Sequence, residues 1–105
     1  MGNINVSDGR PHGFGTYKSF NEAYIGMYVN GSMSGKGAFF YSNGNSYDGE
    51  FVENNKQGKG KFYWTDGSWY EGDWSNDKMS GTGKKQWLNG DVYIGEWHND
   101  VMHVK

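Results

Sequence analysis

Tyr24, Tyr47, Tyr70 and Tyr93 stand 23 residues apart, and Gly26, Gly49, Gly72 and Gly95 follow them at the same interval. The rings Tyr28, Phe51, Trp74 and Trp97 keep the same step. So does a second set of positions: Gly35, Gly58 and Gly81, then Gly37, Gly60 and Gly83, then Gly44, Gly67 and Gly90. A fixed period makes each repeat one supersecondary unit, and stacked neighbours supply the core that no single unit has. The sequence therefore reads as one array over residues 1–105. A partial repeat spans 1–23, full repeats span 24–46, 47–69 and 70–92, and a truncated repeat spans 93–105.

Within a repeat the period is two. Tyr47, Gly49 and Phe51 share one face of a strand, with Asp48 and Glu50 on the other. Gly35, Gly37, Phe39 and Tyr41 likewise lie opposite Lys36, Ala38 and Phe40. Each repeat is thus two short strands, and Asn43-Gly44, Asp66-Gly67 and Asn89-Gly90 mark hairpin turns between one repeat and the next. The fold class expected is all-β: a single-layer, twisted antiparallel sheet of stacked hairpins. Leu, Ile, Val and Phe make up only about 15% of the chain, a level typical of disorder. A net charge of −2 is too small to hold a chain open, and the 8 Tyr and 5 Trp bury well, so an aromatic core is expected.

A register follows from the turns. A three-residue loop Asn43-Gly44-Asn45 sets Gly37 opposite Phe51, Phe39 opposite Gly49 and Tyr41 opposite Tyr47, so that every glycine faces a ring. Carried along the array, it pairs Lys61 with Asp73 and Lys84 with Glu96 on the other face. In the N-terminal copy one residue is missing, since Gly13 precedes Gly35 by 22. Loops absorb deletions more readily than ladders do, so a two-residue loop Asn21-Glu22 is expected there, with Gly15 opposite Tyr28. Ile4 and Val6 suggest a degenerate strand before it. The last copy has a first strand but, with Val104 where the next glycine should stand, no second. An open edge near Asp91 to His98 is expected, available for self-association.

The pattern Tyr-x-Gly-x-aromatic, then Gly-x-Gly seven residues on, then Asn/Asp-Gly, resembles the MORN repeat (membrane occupation and recognition nexus), in three full copies and two partial ones. The resemblance implies stacked β-hairpins and a non-catalytic role in holding proteins together or to membranes. It makes Tyr24, Gly26, Gly35, Gly37, Gly49, Phe51, Gly58, Gly60, Gly72, Trp74, Gly81, Gly83, Gly95 and Trp97 the repeat-defining structural positions.

Little is left for catalysis. There is no cysteine, which excludes disulfides and Cys-type zinc sites, and His12, His98 and His103 stand beside no nucleophile or metal-ligand pattern. The acidic row Asp48, Glu50, Glu71, Asp73 and Glu96 recurs with the scaffold and faces lysines, which makes it a solvated, ion-paired surface. Gly58-Lys59-Gly60-Lys61 lacks the spacing of a phosphate loop. No enzyme activity, cofactor or metal is expected. A pI near 5.8 with interleaved charges offers no track for nucleic acid. No apolar signal segment or membrane span is present, and Val6 stands where a myristoylation signal wants Ser or Thr. A cytoplasmic protein, of the cytoskeleton or cilium by resemblance, is expected.

A single sheet leaves a ring-rich face uncovered. Tyr41, Tyr47, Trp64, Tyr70, Trp87 and Tyr93 are the candidate partner-binding residues, forming a groove for an amphipathic helix. On the opposite face Ile25 and Met27 replace the acidic pair and, with Phe40 and Tyr63, form a second apolar patch suited to self-association. The leading function is a protein-protein interaction scaffold or tether. The alternatives are a membrane module binding anionic lipids, which 10 basic against 12 acidic residues do not favour, and a targeting or regulatory segment of a larger enzyme, since MORN-like arrays precede lysine methyltransferase and lipid kinase domains.

Overall fold

A computed structural model describes residues 10–103, together with the backbone of Asn5 and Val6. Ten antiparallel strands lie side by side in sequence order. They are β1 (Asn5–Val6), β2 (Pro11–Lys18), β3 (Ala23–Val29), β4 (Ser32–Phe40), β5 (Ser46–Val52), β6 (Asn55–Tyr63), β7 (Trp69–Ser75), β8 (Lys78–Gln86), β9 (Val92–His98) and β10 (Val101–His103). Among the described residues there is no helix, and the all-β single sheet is as the period implies. Its long dimension, 49 Å, is close to ten strands at about 4.8 Å each.

Two kinds of turn alternate. Between repeats the loop has three residues, but they are Ser42-Asn43-Gly44, closed by Tyr41 N–H donating to the Asn45 carbonyl at 2.9 Å. Gly44 is the last loop residue, at φ 94°, and Asn43 Oδ1 accepts the Asn45 N–H at 2.9 Å. Asp66 and Asn89 accept in the same way from Ser68 and Asp91. Asn or Asp before Gly is thus required twice, once for its acceptor and once for the left-handed residue that follows it. Because glycine ends the loop rather than sitting mid-loop, the expected register is wrong by two. Gly35 faces Phe51, Gly37 faces Gly49 and Phe39 faces Tyr47. A shift of two keeps every face assignment and changes every partner.

The same correction runs along the sheet. Lys61 faces Asp48 and Glu71 rather than Asp73, and Lys84 faces Glu71 and Ile94 rather than Glu96. Asp73 faces Lys59 and forms an ion pair with it. In the N-terminal copy the deletion is absorbed by a two-residue turn, Phe20-Asn21, closed by Ser19 and Glu22, and Gly15 faces Gly26. Of the degenerate strand, Val6 pairs with Pro11, whereas Ile4 lies outside the described residues.

Within repeats the turns are Asn30-Gly31, Glu53-Asn54, Asn76-Asp77 and Asn99-Asp100, each with two consecutive positive φ values. Their second residues bind hairpin to hairpin. Asn54 Oδ1 accepts the Met33 N–H at 2.8 Å, while Asn54 N–H donates to the Met33 carbonyl at 2.9 Å. Asp77 does the same for Lys56 and Asp100 for Met79. In the first repeat Gly31 has no side chain to accept, and its counterpart Pro11 has no N–H to donate; the Gly31 N–H to Pro11 carbonyl bond, 2.8 Å, remains.

The two glycines of Gly-x-Gly do different things. The first sits in a bulge where Ser34-Gly35-Lys36 faces Met27 alone, Gly35 having φ 99°. The second makes room for tyrosine. Gly26 and Gly37 face each other, and the Tyr24 ring lies against them so closely that a Cβ on Gly37 would overlap it. Gly49 with Gly60 and Gly72 with Gly83 accommodate Tyr47 and Tyr70 in the same way. These glycines face each other across the ladder, with one ring over each pair, whereas the bulge glycines Gly35, Gly58 and Gly81 do face rings, those of Phe51, Trp74 and Trp97.

The core is the resulting file of aromatics. Tyr24, Tyr47 and Tyr70 are fully buried, and their hydroxyls donate to the carbonyls of Met27, Glu50 and Asp73 at 2.8, 2.9 and 2.8 Å. Edge-to-face contacts run from Tyr24 to Phe51, Phe51 to Tyr47, Tyr47 to Trp74, Trp74 to Tyr70, Tyr70 to Trp97 and Trp97 to Tyr93, with centroids 5.1–5.4 Å apart. Tyr24, Tyr47 and Tyr70 therefore each touch a ring of their own repeat and one of the next. At the C-terminal end a second strand does form, contrary to the expectation. β10 pairs with Glu96–His98 of β9, leaving Val92–Gly95 without a partner on that side among the described residues.

Candidate partner-binding face

The six ring-face candidates divide by burial. Tyr47 and Tyr70 are 0% exposed, so they are core and offer a partner no surface. Tyr41, Trp64, Trp87 and Tyr93 are partly buried. Tyr41 and Trp64 lean on the strand-end rings Phe39 and Phe62, with centroids 4.6 and 4.8 Å apart. This makes a continuous aromatic row along the edge of the core, just inside the inter-repeat turns.

Two cations enter this row, and neither was singled out in the sequence. Lys56 occupies the position that is Met33, Met79 and Met102 in other repeats. Its Nζ lies 5.3 Å from the Trp74 centroid and 5.6 Å from that of Phe62, donates to the Tyr41 hydroxyl at 3.3 Å and pairs with Asp77 at 3.4 Å. Lys85 occupies the position of Phe39 and Phe62. Its Nζ is 4.2 Å from the Trp64 centroid and 5.3 Å from that of Trp87, within cation–π range of both. Burial draws the Lys85 ammonium below its ordinary value, an effect opposed by the more distant Asp66 and Asp100. The signal was available: each lysine interrupts an apolar series at the 23-residue step.

The other face carries alternating charge in its middle: Asp48, Lys61, Glu71 and Lys84 on consecutive strands. Its acidic row is also structural. Glu50 accepts the Lys59 N–H at 2.8 Å and Asp73 the Thr82 N–H at 3.0 Å, each just after a bulge glycine. The Lys59 ion pair, and then the Thr82 N–H, hold the Asp73 carboxyl below the usual range. Of the second patch, Ile25, Met27 and Phe40 are 38–45% exposed; Ile25 and Met27 share a face of β3, Phe14 lies opposite Met27, which the sequence reading missed, and Phe40 lies opposite Ala23 at the other end of the strand. Tyr63 continues the row of Phe40 one strand beyond Ser46, with Lys61 over its ring at 5.1 Å.

Among the described residues no cluster of three or more His, Asp or Glu side chains is placed to hold a metal. What the arrangement offers is a strip of aromatic surface with embedded positive charge, backed by a rigid ladder. A single-layer array of 23-residue hairpins with a tyrosine laid over each glycine pair is a repeat protein of the interaction type. Its five consecutive segments, residues 5–22, 24–46, 47–69, 70–92 and 93–105, match the MORN repeat, and the chain belongs to that family. A comparison with curated proteins gave no match. MORN repeats are generally modules for binding proteins or membranes.

Proposed function

We propose that this chain is a non-enzymatic scaffold or tether that binds the helix of a partner protein along the aromatic row of Tyr41, Trp64, Trp87 and Tyr93. A cytoskeletal or ciliary setting, implied by the family resemblance, belongs to the same proposal. The observation that carries it is the row itself: rings lying side by side, half out of the core, on a sheet with no second layer among the described residues. An amphipathic helix covers such a strip with anchors on one face, and large aromatic residues are the usual centres of binding energy. Lipid head groups are less well served, because the cations of this face, Lys56 beside Asp77 and Lys85 between two rings, stand singly rather than in a basic cluster.

The test is a pull-down from the source cell at physiological salt, read by mass spectrometry. Wild type is compared with a Trp64→Ala, Trp87→Ala double variant shown by circular dichroism to be folded. At least one protein should be enriched by wild type and lost with the variant. The same set of proteins retained by both forms would overturn the reading.

A further inference from the structure

We propose that Lys85 sets the specificity of the ring face, and that the helix it receives carries an Asp or Glu midway between two apolar anchors seated on Trp64 and Trp87. This rests on the reading above that the face takes a helix.

The row runs Phe39, Tyr41, Phe62, Trp64, Lys85, Trp87, so a cation stands where the repeat otherwise places a phenylalanine. Its two aromatic neighbours hold the ammonium over their faces, at 4.2 and 5.3 Å from the centroids. Lys56 on the same face has Asp77 within 3.4 Å, and Lys59 on the other face has Asp73. Among the described residues no carboxylate lies within ion-pair distance of Lys85; Asp66 and Asp100 act on it only from farther off. A covering helix that is apolar throughout would complete the desolvation of this charge and leave it without a counter-ion. A helix with a carboxylate there would satisfy it, and the rejection of helices that lack the acid is the source of specificity.

The spacing fixes where the acid falls. Equivalent positions in successive repeats are two strands apart, or roughly 9.6 Å. Seven residues of α-helix rise about 10.5 Å. A helix lying across the strands thus places residue i on Trp64 and i+7 on Trp87, and the side chain between them on the same face, i+3 or i+4, comes over Lys85.

The experiment uses the full 105-residue chain and a displayed library of alanine-based helices with Leu, Phe or Met at i and i+7 and all residues at i+3 and i+4. Wild type should enrich Asp or Glu at one of the two varied positions. Lys85→Glu should enrich Lys or Arg there instead, and Lys85→Gln neither. Replacing the acid of the best peptide by its amide should weaken binding roughly tenfold, as for a partly buried charge pair. Selected helices that need Trp64 and Trp87 but show no acidic preference, or the same preference on Lys85→Glu, would overturn this inference and leave the helix-binding face standing. If no helix is selected, or the selected ones bind the folded Trp64→Ala, Trp87→Ala variant equally well, the ring-face reading itself fails.

Discussion

Tyr47 shows how one residue serves three ends at once. Its ring covers the Gly49–Gly60 pair, its edge meets Phe51 and Trp74, and its hydroxyl closes on the Glu50 carbonyl. Tyr47→Phe keeps the first two and loses the third, so it should cost about 0.5–1.5 kcal/mol. Gly60→Ala forces a methyl group into the ring, and the ring has no room to retreat; about 1–3 kcal/mol or more is expected. Urea midpoints of the two variants would rank them, and a Gly60→Ala variant as stable as wild type would refute the close-packing account. The tyrosines also set an alkaline limit. Burial pushes the Tyr24 phenol from 10.0 up to about 12, and pushes Tyr47 and Tyr70 upward as well. Above pH 10 the unfolded chain gives up phenolic protons that the folded chain keeps, so it binds fewer protons and stability falls as pH rises. Below pH 10 this contribution is fully present. Each buried tyrosine costs roughly 1.4 kcal/mol per pH unit beyond that point until its folded value is reached. The tyrosinate absorbance contributed by these three buried phenols should therefore rise together with unfolding between pH 10 and 12, not ahead of it.

At the scale of the element, the turns explain both what the sequence disclosed and what it withheld. Periodicity gave the strands and their faces, because a two-residue period survives any shift of two. Register was misread because Asn43-Gly44 does not say whether glycine is in the middle or at the end of its loop; only the φ of Gly44 and the Asn43 side-chain bond decide that. The candidate site was half legible for a related reason. Ring-bearing positions could be counted, but Tyr47 looked like Tyr41 until the glycine pair beneath it became visible. The turns inside the repeats were readable and overlooked, since Asn30, Asn76 and Asn99 recur at the 23-residue step. Glu53 is the exception in that series. At φ 46° it holds a left-handed conformation that Asn tolerates better than Glu. Its backbone N–H already bonds Ser34 Oγ at 3.0 Å and would continue to do so in a variant. Glu53→Asn should thus raise stability by about 0.5–1 kcal/mol, seen as a higher thermal midpoint; a fall would mean that the Glu side chain contributes more than its backbone costs.

Among the described residues the molecule is a single layer, and beside Phe51 its core file is bypassed only by the edge row Phe39–Tyr41–Phe62, which runs from Tyr24 to Trp74. A break in the file should therefore divide the array rather than merely weaken it. Phe51 is the place to make it, because its ring joins Tyr24 of the preceding repeat to Tyr47 of its own, and Phe→Ala in a core costs about 3–5 kcal/mol. The five tryptophans, Trp64, Trp69, Trp74, Trp87 and Trp97, all lie on the C-terminal side of that ring. Tryptophan fluorescence thus reports one side of the break, and far-ultraviolet circular dichroism reports both. In wild type the two signals should follow a single urea transition. In Phe51→Ala the dichroism should begin to fall at lower urea than the fluorescence, as β2 and β3 release before the tryptophan-bearing hairpins. Trp97→Ala cuts the file after the last full repeat, where Trp97 joins Tyr70 only to Tyr93 of the truncated repeat, so its two signals should remain together. Coincident transitions in Phe51→Ala, shifted to lower urea as one, would show that the backbone ladder couples the hairpins without help from the aromatic file.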